Sequence, residues 1–255
     1  MHYGSPAQTA VAVVVLSILT LGVMWSFGIR QRLDFVGAVL RSLVQLCVVA
    51  LIIAWIFQHP QGAVLYIALM LIAASATSLR RVKCGRRQAY RLLIPLTVAT
   101  LVSVGITVAT GALPLSAQSL VPFTAQIIGG SMTAVTLSGT HFRDNVDHHW
   151  DEVEALLSLG ATARQAVADL GRRAASQALI PGLDQTRSAG LVVLPGAFVG
   201  MLLGGATPAQ AAQVQILVLV TLIAAATCSA AGVVWFLAPL YGSLRPVSPQ
   251  QAVAS

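Results

Sequence analysis

The chain has 255 residues, of which 56% are hydrophobic and only 9% charged, with a mean hydropathy of +0.81 and a formal net charge of +7. Soluble domains carry about 25% charged residues, so this composition cannot cover a water-facing surface, and the same hydrophobicity excludes disorder. An integral membrane protein remains, all-α because the apolar runs approach or exceed the ~20 residues of a spanning helix rather than the ~10 of a barrel strand.

In chain order, the runs predict about seven transmembrane helices, over roughly 8–28, 35–57, 62–79, 92–113, 121–140, 188–206 and 213–240. They form a polytopic, single transmembrane domain over 1–255, with a polar cytoplasmic segment at 141–187 between helices five and six. The first run reads as a span rather than a cleaved signal peptide, because it lacks a basic n-region and continues into Gly28-Ile29-Arg30. No internal repeat stands out.

Orientation follows from the basic residues. Arg30, Arg32 and Arg41 lie around the first junction; Arg80, Arg81, Lys83, Arg86, Arg87 and Arg91 lie between helices three and four. Arg143, Arg164, Arg172, Arg173 and Arg187 fall between five and six, and Arg245 follows seven. Assigned to one face, these residues place the N-terminus outside and the C-terminus in the cytoplasm of an inner (plasma) membrane. The positive charge therefore orients helices and does not point to nucleic acid. The acidic residues, Asp34, Asp144, Asp147, Asp151, Glu152, Glu154, Asp169 and Asp184, are expected on the same side, leaving no acidic relay at mid-membrane. Cys47, Cys84 and Cys228 are scattered and form no CxxC pair.

Within the polar segment, His149–Leu159 reads as a short amphipathic helix ended by Gly160. Thr162 starts a second, with Ala163, Val167, Leu170, Ala174 and Ala178 on one face, and Pro181 is expected to stop it. This segment is either a surface for a soluble partner or a plain connector. His141, Asp144 and His148 include an i, i+4 pair and are a candidate metal site, although a solvated helix start at the membrane–water boundary explains them better. Gly196, Gly200 and Gly204 form a flat face behind Pro195, suited to close helix approach or to lining a path. Gln45 and Gln126 need partners in lipid, and Gln126, Gly129, Gly130 and Ser131 fall on neighbouring positions of the fifth helix. No phosphate-binding loop exists, since the single lysine, Lys83, is followed by Cys84. The chain is thus not expected to be an enzyme, and no catalytic residue or bound cofactor is assigned.

Glu154-Ala155, then Leu159-Gly160-Ala161-Thr162, resembles the coupling loop of ABC transporter permeases. The run Ala178-Leu179-Ile180-Pro181, followed by Asp184, Gly190-Leu191-Val192, Leu194-Pro195-Gly196, Gly200, Gly205, Pro208 and Gln215-Ile216, resembles the FetB-like iron-export ABC permease family, as does Arg41-Ser42-Leu43-Val44-Gln45-Leu46. That family has plant relatives acting in aluminium tolerance. The resemblance implies a permease subunit exporting iron, another metal or a metal-linked small molecule. ATP and Mg would sit on a separate ATPase, and the membrane subunit would pair as a homodimer in a two-plus-two complex within the bilayer. One departure is Gly129-Gly130 where the family typically has Gly-Asn. The alternatives are an ion-coupled secondary carrier or channel, a membrane enzyme using the His/Asp cluster, or an ABC permease for a sugar nucleotide.

Overall fold

The computed structural model describes residues 5–28, 32–83, 85 and 88–242. Arg30, Cys84, Arg86, Arg87 and Arg245 lie outside the described residues. The helices in chain order are α1 (Pro6–Ser26), α2 (Arg32–Gln58), α3 (Gly62–Val82), α4 (Tyr90–Ala109), α5 (Ala117–His148), α6 (Trp150–Ser158), α7 (Ala163–Ala166), α8 (Ala168–Ser188), α9 (Gly196–Leu203) and α10 (Pro208–Tyr241). The described residues contain no strand, only an isolated bridge between Ala189 and Val193. Six helices, α1 to α5 and α10, are long and apolar enough to cross a membrane.

The chain divides into two compact units, residues 1–59 and 60–255. In the first, α1 and α2 are predominantly apolar and expose Leu16, Leu19, Leu46 and Leu51, with Arg41 and Gln45 also exposed on α2. Ser5 and Gln8 form a capping box ahead of Pro6, which starts α1 where a missing N–H costs nothing.

The second unit is a bundle whose helix directions can be read from contacts. Ser78 of α3 bonds Thr136 of α5 at 2.9 Å, and Val82 packs into the space left by Gly139, so α3 and α5 run parallel. Gly232 of α10 receives Pro95 of α4, while Thr107 of α4 meets Thr221 of α10 at 3.2 Å, so these two are antiparallel. Gly130 faces Leu222 and Ala134 packs with Ala226, so α5 and α10 run parallel. Small residues permit these approaches, as expected where lipid supplies no hydrophobic drive between helices. At the end of the bundle nearest Tyr241, Arg143 donates to the Val82 carbonyl and Arg91 to the Phe236 carbonyl, each at 3.1 Å, satisfying carbonyls at or near helix C-termini.

Three expectations change here. The run 188–206 is not a continuous helix. Gly190 turns the chain at φ +85°, its N–H donating to the Val193 carbonyl; Pro195 caps α9, and Gly205 at φ +91° ends that helix after eight residues. Hydropathy registers the apolar content of this run and is blind to its glycine and proline breaks. Pro181 does not stop the second polar-segment helix: α8 continues through it to Ser188. Packing of Ala178 and Gly182 against α5 and α10 holds the helix across the hydrogen bond that proline cannot make. Finally, α5 extends to His148, taking His141–His148 into the helix.

Because α5 and α10 are parallel, the chain must return between them, and α8 is the return. Gly171 sits against Phe142 and Val234; Ala178 packs with Ala134, Ala226 and Ala230; Gly182 lies beside Leu222; Thr186 shares a cavity wall with Gln215 and Leu219. From Gly171 to Thr186, about 22 Å of helix, α8 retraces the apolar stretch of α10 in reverse. Asp184 and Arg187 therefore lie towards the Pro208 end of α10, away from the end where Arg91 and Arg143 bond helix carbonyls.

Candidate coupling site and intramembrane path

The segment Glu154–Thr162 forms a projection. Val153 is fully buried in a cluster with Val146, Ala166, Val167 and Leu170, which anchors α6 to α5 and α8. Beyond this anchor the chain is exposed: Glu154 and Ala155 face outward, and Leu159 at the tip is 84% exposed. Gly160, at φ +88°, donates to the Leu157 carbonyl and Ala161 to the Leu156 carbonyl, each at 3.0 Å, the paired bonds of a Schellman turn. Thr162 then caps α7, its hydroxyl accepting from the Gln165 N–H while the Gln165 side chain receives the Thr162 N–H.

This projection is fixed to the far end of α10 as well. The Arg164 guanidinium lies 4.0 Å over the Trp235 ring, and the Ala163 backbone packs so closely on Gly242 that a Cβ there has no space. The segment carrying the Leu159 tip is thus held to α5 through Val153 and to α10 through Arg164 and Ala163.

Sequence reading missed a second copy of the turn. Gly160-Ala161-Thr162 and Gln165-Ala166 recur as Gly205-Ala206-Thr207 and Gln210-Ala211. The structures match: Gly205 donates to Leu202, Ala206 to Met201, and Thr207 with Gln210 forms the same capping box ahead of α10. A search for short repeats would have found it. The shared residues encode helix–turn–helix geometry, which the chain uses at both ends of α8's course.

The remaining candidates are dispersed. Gln45 is exposed on α2. Gln126 and Thr133 are exposed on α5, Thr133 bonding back to the Gly129 carbonyl at 3.1 Å. Gly129, Gly130 and Thr133 line a 230 Å³ groove with Pro181, Gly182 and Gln185 of α8. The Ser131 hydroxyl is buried and unpartnered among the described residues, as are those of Thr100, Thr124 and Ser229. Gly196 and Gly200 have open space in front of them, so their flat face packs nothing among the described residues; Gly204 lies against its own helix's carbonyls. Pro195 begins α9 instead of kinking a longer helix.

His141, Asp144 and His148 do not converge. Asp144 pairs with Arg143 at 3.1 Å, and His148 Nδ1 lies 2.6 Å from the Asp144 carbonyl. Among the described residues no three metal-ligating side chains gather.

A family model described as "Uncharacterised protein family (UPF0014)" matches residues 7–241. The membrane protein YjkA of Bacillus subtilis is 31% identical over 232 residues, covering 89% of this chain and 91% of its own. ALUMINUM SENSITIVE 3 of Arabidopsis thaliana is 30% identical over 226 residues, covering 88% and 81%. The probable iron export permease protein FetB of Escherichia coli is 28% identical over 198 residues, covering 77% and 76%. No solved structure matches. With its apolar helices and near-complete coverage by the family model, this chain is a multi-pass membrane protein of the UPF0014 family.

Proposed function

We propose that the chain is the membrane subunit of an ABC transporter, two copies working with two copies of a separate ATPase that holds ATP and Mg. The observation that carries this reading is the Glu154–Thr162 projection: a rigid tip with an exposed leucine, anchored to both α5 and α10. Such a knob fits a cleft in an ATPase and converts its closure into helix tilt. The name of FetB, a probable iron export permease, supports outward transport of iron, another metal or a metal-linked small molecule. The projection and the arginine-rich connections then face the cytoplasm, with the N-terminus outside.

The test is reconstitution. The purified chain should hydrolyse no ATP, and hydrolysis stimulated by substrate should appear when the cognate ATPase is added in lipid. The rival reading is an ion-coupled carrier, which would need no ATPase. Substrate movement by the chain alone, driven by an ion gradient, would establish that rival.

A further inference from the structure

Gln215, near the start of α10, is only 6% exposed, and its amide oxygen is shut off from solvent. Neither the oxygen nor the nitrogen of this amide makes a hydrogen bond among the described residues. Buried polar side chains are nearly always paired, so one left unpaired calls for a partner from outside the fold. The structure holds a place for that partner. Gln215 lines a 410 Å³ cavity with Thr186 of α8, Leu194 and Phe198 at and within α9, and Leu219 and Val220 of α10. Small-molecule sites run from about 300 to 1,000 Å³. Apart from Gln215 and Thr186 the walls are apolar, and no ionisable side chain lines them. The Thr186 hydroxyl donates to the Gly182 carbonyl at 2.9 Å, which leaves its oxygen able to accept. Leu191 and Val192, beside the lining residue Gly190, are 89% and 83% exposed, so apolar side chains border the cavity as well.

We infer that this cavity is a binding site for a neutral, mainly apolar small molecule carrying a hydroxyl group, which pairs with the Gln215 amide. A bare metal cation or a free anion finds no opposite charge on these walls, and its desolvation would go uncompensated. A hydroxyl suits the amide because it both donates and accepts: it gives its proton to the carbonyl oxygen or takes one from the NH₂ group, and a half-turn of the amide presents either. The apolar body of the ligand meets Leu194, Phe198 and Leu219. Phe198 belongs to α9, which hangs between two left-handed glycines, Gly190 at φ +85° and Gly205 at φ +91°. Trp235, where the coupling projection meets α10, lies about 30 Å further along that helix at 1.5 Å per residue. The inference therefore does not rest on the ABC reading, and the failure of either leaves the other untouched.

The experiment is photolabelling of the full chain in lipid nanodiscs, without an ATPase. Two probes are compared, 4-(hydroxymethyl)benzophenone and 4-methylbenzophenone, which differ by the one hydroxyl, and the labelled peptides are located by mass spectrometry. The expected result is saturable labelling by the alcohol within 194–198 and 215–220, at a half-saturating concentration about tenfold lower than for the methyl probe. In Gln215→Leu the alcohol should lose this advantage. That variant should also unfold at no lower a temperature than the unmodified chain when no probe is present, because it removes a buried amide that bonds nothing. Labelling that grows with probe concentration without saturating would mean a groove filled by lipid, and would overturn the site. Equal half-saturation by the two probes, or an undiminished preference in Gln215→Leu, would overturn recognition by the amide. A lowered unfolding temperature in Gln215→Leu would give the amide a structural partner and overturn the inference on that ground.

Discussion

Replacing Gly160 by valine tests the coupling projection with little side effect on packing. A Cβ built at Gly160 meets nothing within 4 Å, so the substitution creates no clash. Its whole cost is conformational: φ +88° is a region that β-branched residues avoid, at about 1–3 kcal/mol. That strain falls on the turn holding Leu159 and Thr162, and it lowers the population of the native tip by about 5- to 150-fold. The core cluster around Val153 is untouched. Gly160→Val should therefore reach the membrane at normal level yet lose ATPase association or transport. Gly160→Asn, which tolerates the left-handed region, should retain most of both. Gly205→Val provides a control, because it strains the same turn at φ +91° on the other side of the bundle and should leave ATPase association intact. The assay is co-purification with the ATPase, membrane level and transport for all three variants. Unchanged association and transport in Gly160→Val, or equal loss of association in Gly205→Val, would refute the reasoning.

Glu154→Lys reverses an exposed charge at the docking surface and should weaken ATPase association by several kcal/mol if the partner presents a basic site there, read by a binding titration with the purified ATPase. Gly171→Leu drives a side chain into Val234 and Phe142 and should destabilise the bundle by about 1–3 kcal/mol in thermal unfolding in detergent, whereas Gly200→Leu, with open space in front of it, should leave unfolding unchanged. Ser78→Ala removes the α3–α5 bond to Thr136 and should cost about 0.6 kcal/mol in the same measurement. A cysteine at the exposed Gln118 should react with an impermeant thiol reagent in intact cells while Cys84 does not.

The membrane class and the turn at Gly160-Thr162 were legible in the sequence, because each depends on local chemistry. Apolar runs announce lipid. Gly160 followed by Thr162 and Gln165 announces a Schellman turn and a capping box, since these bonds close within six residues. The course of the chain after α5 was not legible. Hydropathy selects 188–206 as a span and rejects 168–188, yet the structure breaks the first and continues the second through Pro181. That choice is made by contacts distant in sequence: Gly171 against Val234, Ala178 against Ala134 and Ala226, and the parallel run of α5 and α10 that demands a return between them. A helix that buries alanine and glycine on one face and keeps arginine on the other has no apolar signature, so only its neighbours fix the depth at which it lies. The same holds for the metal candidates. Asp144 and His148 share a helical face by spacing, but Arg143 and a backbone carbonyl are the groups that meet them in the fold.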